Sequence, residues 1–250
     1  MPALFFLRHP SFVVALFLLF FCMIPPAACS QPLVGTALEW QDFERQVRDT
    51  VLSGQEGEKL LAYWADRLEK EFPPARFRKE ITFPLAGYSL RDVGGKNGDG
   101  YKPEGYRFLD GNRHLGHPAQ DVFVRDRNQD GRDDLTAGPV EVLALAEGIV
   151  LSVFSDWKAS DHRREIRGGN YIWIYHPGLK AFSYCAHLEK IFVNPGNRVQ
   201  GGEPIATLGR TGKNASVARS PTHLHLMVLS LKNMQPLDPY PLWRPSPKDR

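Results

Sequence analysis

The segment Thr222-His223-Leu224-His225-Leu226 sets two histidines two residues apart in a run of β-forming residues. Alternate side chains leave the same face of a strand, so both imidazoles enter one space. A second segment, His117-Pro118-Ala119-Gln120-Asp121, offers an imidazole and a carboxylate four residues apart. Straight strand would hold that pair ~13 Å apart, whereas the ligands of one zinc ion lie within ~4 Å of each other. The chain must therefore bend for them to share an ion, and Gly116 and Pro118 are the residues that allow it. One His, one Asp and one more His give three ligands and an open fourth position, the arrangement of a catalytic zinc site. Residue pattern alone leaves open whether His223, His225 or both would bind. Three cysteines are too few for a Cys-rich structural site, and no His-Glu-x-x-His helix is present. His187, in Tyr184-Cys185-Ala186-His187-Leu188, sits on another β-prone run. Taken alone it reads as a core or capping histidine, and His114, His162 and His176 read as structural.

The order of motifs is more specific. His-x-x-x-Asp at 117–121 is followed by Gly-Asn-Tyr-Ile-Trp-Ile-Tyr-His, then Ala-His-Leu. Next come Val-Gln-Gly-Gly-Glu-Pro-Ile-Ala-Thr-Leu-Gly-Arg-Thr-Gly and His-Leu-His. Over roughly Phe83 to Leu229 this order resembles the lysostaphin/LytM-type zinc metallopeptidases, which are peptidoglycan endopeptidases. The resemblance implies that His117, Asp121 and His225 hold zinc and that His187 and His223 are the catalytic pair. It also implies a compact antiparallel β-sheet domain with the metal in a groove, acting on peptidoglycan peptides. Zinc supplies a water of lowered pKa. Of His187 and His223, one would accept its proton and the other would steady the oxyanion and the leaving amine. Which does which stays open. The pattern departs at Cys185, where the family has Tyr and this chain has Tyr184 one place earlier, and at Leu226-Met227 after the His-x-His pair. Degenerate relatives of the family bind partners and activate other cell-wall hydrolases. A non-enzymatic LytM-like regulator is therefore the alternative, weighed against all five site positions being present.

One acidic stretch stands apart from that pattern. Asp126, Asn128, Asp130 and Asp134, with Gly131 at the turn, place oxygens at near-alternate positions like the front half of a calcium loop. The twelfth position is Ala137 rather than Glu, so Ca2+ binding stands beside a plain acidic surface loop as the reading of this stretch.

Positioning elements follow from the hydrophobic pattern. Trp40, Phe43, Val47 and Val51 recur at helical spacing, with a Thr36/Glu39 capping-box pattern before them and Gly54 after. They predict a helix over 36–53. Leu60, Leu61, Trp64 and Leu68 predict a second, over about 55–72, stopped by Pro73-Pro74. Residues 36–73 thus form an αα-hairpin. From Ile81 onward short β-prone runs alternate with turn residues: Glu141–Phe154, Asn170–His176, Phe182–His187 and Thr222–Leu229. The fold expected is mainly β, a metallopeptidase domain over 80–231 after the hairpin, with residues 232–250 an extended Pro-rich tail.

The chain of 250 residues has room for one such domain and an appendage, and its net charge of +3 with no basic stripe argues against a nucleic-acid partner. At the start, Arg8 and His9 precede an apolar run from Ser11 to Ile24 and then small residues, the order of a secretory signal over residues 1–28. Cys29 after Ala27-Ala28 resembles a lipobox, apart from Pro26, so a lipidated Cys29 would anchor the product to a membrane. A cut after Ser30 would release it soluble. Either way the expected place is the cell envelope or periplasm, and the oligomeric state is open.

Overall fold

A computed structural model describes residues 31–52, 54–160 and 166–244. The expected signal sequence, Cys29, His162 and the last residues of the tail lie outside the described residues. Two helices come first, α1 (Gln31–Arg48) and α2 (Gly54–Glu71). Ten strands follow: β1 (Ala119–Phe123), β2 (Glu141–Leu143), β3 (Gly148–Phe154), β4 (Tyr171–His176), β5 (Ala181–Ala186), β6 (Leu188–Ile191), β7 (Arg198–Val199), β8 (Pro204–Leu208), β9 (His223–Ser230) and β10 (Pro236–Leu237). The larger sheet runs β1-β9-β5-β4-β3-β7 with β10 added against β9, and a three-stranded sheet runs β2-β8-β6. Every strand pairing is antiparallel. The architecture is mainly β with an N-terminal helical hairpin.

The alternation Tyr171-Ile172-Trp173-Ile174-Tyr175 explains the layering. All six residues of β4 are buried, so both faces of the sheet are covered. The aromatic side chains join one core cluster with Trp40, Phe43, Trp64 and Phe182, and the isoleucines join another with Val142, Leu188, Ile205 and Leu226. The first cluster lies between the large sheet and the helices, the second between the two sheets. Trp40 stacks on Phe182 with ring centroids 5.6 Å apart and meets Trp173 edge-on at 5.7 Å.

The hairpin differs from the sequence pattern in detail. α1 begins at Gln31 and ends at Arg48, well before Gly54, which instead opens α2 with φ of 63°. Thr36 is no cap. It is buried inside the helix, donates to the Glu71 carboxylate at 2.9 Å and accepts from Arg67 at 3.0 Å. Arg67 also pairs with Glu39, so the Thr-x-x-Glu residues tie the two helices together. The long run at 141–154 is split into β2 and β3, one in each sheet. Past residue 231 the chain re-enters the fold. Pro236 and Leu237 pair with Leu229 and Val228, and Tyr240 and Trp243 pack on the aliphatic cluster.

Two stability predictions follow. Trp40→Ala should cost about 3–5 kcal/mol, read as a lowered midpoint in denaturant with one shared transition for helix and sheet signals, because the hairpin and sheet share one core. Buried His176 has its Nδ1 on the Glu147 carbonyl (3.2 Å) and its Nε2 on the Ser183 hydroxyl (2.7 Å), and burial lowers its pKa from 6.5 to about 4. The unfolded chain takes up that proton first as pH falls. The contribution is therefore whole above pH 6.5 and is lost between 6.5 and about 4, by about 3 kcal/mol. His176→Gln should flatten the slope of stability against pH in that window, and an unchanged slope would show that His176 is not the titrating group.

Candidate metal and catalytic site

Asp121 lies opposite His225 across the β1–β9 ladder, and its side chain meets that histidine with Oδ1 3.0 Å from Nδ1. His117 precedes β1, bridged to Lys102, and its Nε2 is 3.2 Å from the other carboxylate oxygen of Asp121. The turn that brings it there needs Gly116. Its φ is 71°, and a Cβ would stand 2.7 Å from the carbonyl oxygen of Glu104. The three donor atoms of His117, Asp121 and His225 lie within 4.8 Å of one another, and among the described residues no other group of three His, Cys, Asp or Glu does so.

This set suits a divalent ion in the zinc range: two imidazole nitrogens, one carboxylate oxygen and access from solvent. Nδ1 of His117 sits 2.9 Å from the Gly100 carbonyl and donates to it, so Nε2, on the Asp121 side, is the nitrogen that would face an ion. Burial pushes the pKa of His225 down, against the pull of Asp121. Burial alone would raise the Asp121 pKa, but hydrogen bonds from His117 and His225 hold the carboxyl well below its usual range. His117 is raised by its bond to Asp121.

His223 shares the face of His225, and its ring centroid is 4.9 Å from that of His187. Strand parity would turn His187 to the aliphatic face, with Cys185. Instead β5 ends at Ala186, and His187 takes φ of 66°, a backbone conformation few non-glycine residues hold. Its ring returns to the groove, 5.8 Å from that of His225. Each of the pair holds Nδ1 against a backbone carbonyl, His187 on Thr211 (2.8 Å) and His223 on Pro221 (2.7 Å). In the neutral rings Nδ1 is then the donor and Nε2 a free acceptor. Burial first, then the charges of His223 and His225, lower the His187 pKa to about 3, so it is neutral at physiological pH.

The five residues open into one cavity of about 430 Å³. Its wall includes residues whose pattern carried no signal. His114 packs edge-on against Tyr106 at 5.0 Å and lines the cavity with Arg167. Tyr184 faces it too, 6.3 Å from the His225 ring, whereas Cys185 points into the opposite core. Glu44, Val47 and Arg48 of α1 close one end. Helical spacing had marked Val47 for the core but nothing about Glu44.

The calcium reading of 126–134 is not kept. Asp126 is buried and accepts from the backbone of Asp130 and Gly131 (both 3.0 Å) and from the Thr222 hydroxyl (2.6 Å). Asp130 accepts from Asn128 and from the Arg132 backbone, and Asp134 from the Arg127 backbone. These oxygens accept from the loop's own N–H groups, and among the described residues 126–134 bring no three His, Cys, Asp or Glu donors within reach of one ion.

Residues 128–239 match the model of Peptidase family M23. That span holds His187, His223 and His225, while His117 and Asp121 lie before it. A comparison with curated proteins finds no match. Among solved structures the chain is similar to a zinc containing peptidase from Vibrio cholerae, at 23% identity over 63% of this chain and 37% of that one, TM-score 0.38. The chain thus spans little more than a third of that protein. It is similar also to the catalytic domain of the antimicrobial peptidase lysostaphin from Staphylococcus simulans, at 25% identity over 62% of this chain and 94% of that one, TM-score 0.39. The matched span, residues 128–239, is less than half of the chain, and over it the chain is similar to Peptidase family M23.

Proposed function

We propose that this chain is an exported zinc metalloendopeptidase that hydrolyses peptide bonds in bacterial peptidoglycan, working in the cell envelope or periplasm. The observation that carries the reading is the convergence of His117, Asp121 and His225 with two further histidines at one cavity mouth. Bound zinc would supply an activated water and a polarised carbonyl. The protein's part is to hold and move protons. Where the ring is neutral, Nε2 of His187 and of His223 is the acceptor, one to take the proton of the attacking water and the other, once protonated, to serve the leaving amine. Asp121, ionised between two imidazoles, keeps the ligand set anionic enough to hold a cation. Tyr184 lines the same cavity and borders the path of the substrate. Among the described residues no helix is long and apolar enough to cross a membrane, and Cys29 is the proposed lipidation site.

Purified protein incubated with peptidoglycan should release new peptide termini, identified by mass spectrometry. Chelation should stop the release and added zinc restore it. His117→Ala should lose bound metal, measured by elemental analysis, together with activity. His223→Ala and His187→Ala should keep the metal and lose about 10²–10⁴-fold in kcat. If zinc-loaded wild type cleaves none of several wall types, the enzyme reading gives way to a non-enzymatic regulator that binds and activates another hydrolase.

A further inference from the structure

Glu44 is a carboxylate on α1 with 5% of its surface exposed, and it lines the cavity that the metal site opens into. Its oxygens accept from the Tyr171 hydroxyl (3.0 Å) and the Ser152 hydroxyl (3.2 Å). Among the described residues no basic nitrogen comes within 4.0 Å of it. Arg48, one turn along α1, is held through two nitrogens by Asp49 at 2.7 and 2.9 Å and gives a third to the Tyr171 hydroxyl at 2.9 Å. The Arg48 guanidinium is thus paired with Asp49 and reaches Glu44 only through the Tyr171 hydroxyl. An amide or hydroxyl at position 44 could anchor α1 to Tyr171 and Ser152 without burying a charge. Burial is costly enough to raise the Glu44 pKa to about 7.

The surroundings state what would suit that charge. Phe108, Tyr171, Trp173 and Tyr184 line the same cavity, and aromatic faces attract an ammonium. Tyr171 lies opposite Ala186, which lies opposite His225. Two strand spacings, ~10 Å, separate the ligand from the row under Glu44, about three residues of extended peptide.

We infer that Glu44 is the anionic group of a substrate subsite at the helix-walled end of the cavity, taking a primary ammonium at the tip of a substrate amino-acid side chain. The inference rests on the reading of the cavity as a peptide-substrate groove. It makes the helical hairpin part of the recognition surface of the β domain.

The test compares soluble lysine-containing cell-wall peptides with the same peptides after acetylation of the side-chain amine. Binding to the full chain is measured by calorimetry, beside cleavage. Wild type should bind the acetylated peptides at least tenfold more weakly, while Glu44→Gln binds both forms equally and Glu44→Asp keeps part of the preference. Equal binding of the two forms by wild type overturns the inference without any variant, and so does a preference that survives intact in a folded Glu44→Gln. Binding with the preference but without cleavage would overturn the hydrolase reading and leave the subsite standing. Cleavage without the preference would do the reverse.

Discussion

Asp121 facing His225 across the β1–β9 ladder is the contact on which the site depends, and it is fixed by hydrophobic side chains that do no chemistry. Val122 and Leu224, the next pair in the register, are both fully buried in the aliphatic core. A slip of one residue would send Asp121 into that core and Val122 into the groove, exposing an apolar group and burying a charge together. The same alternation seats Ala186 opposite His225, so the neighbouring strand leaves room for the imidazole. Placement of the candidate ligands is thus a by-product of register, and register is held by the packing between the sheets.

Electrostatics prepares the donor set for a cation. A metal-ligating histidine must be neutral and a ligating carboxylate ionised. Burial favours the neutral form of His225, and two imidazole partners favour the ionised form of Asp121. Backbone carbonyls of Gly100, Thr211 and Pro221 each claim one Nδ1 and so orient the other nitrogen of His117, His187 and His223. These oxygens belong to three loops with no chemistry of their own. Their role is to set tautomers, which makes loop conformation part of the site.

The strands that carry the site were legible in the sequence because their alternation is strong. The run Tyr-Ile-Trp-Ile-Tyr reads as a strand, its burial on both faces coming only with the structure, and His-x-His on one face followed from the same period. The ends of elements were less legible. The Thr36/Glu39 pattern fits a helix cap, but Arg67 and Glu71 lie 31 and 35 residues further on and take both residues for a tertiary contact. His187 was illegible for a sharper reason. Its place in the site depends on a positive φ just past the end of β5, and no period records a single left-handed residue. Family resemblance supplied its proposed role where spacing could not. The calcium pattern failed in the opposite way, since alternate oxygens also describe a loop that satisfies its own backbone.

The hairpin resolves a conflict built into the sheet. An aromatic face wide enough to floor a groove is also a large apolar surface, which a protein cannot leave open to water over its whole extent. α1 and α2 cover the part under Trp40, Phe43 and Trp64 and leave the part near His225 accessible. At that boundary one helix must present an apolar stripe to the core and another surface to the cavity. Glu44 and Val47 stand there, three residues apart on α1, one a carboxylate and one a packed aliphatic. A helix that only covered the sheet would have no use for the charge, whereas a helix that also ends the groove has a wall to furnish. Position 44 is where covering the core and walling the cavity become the same structural task.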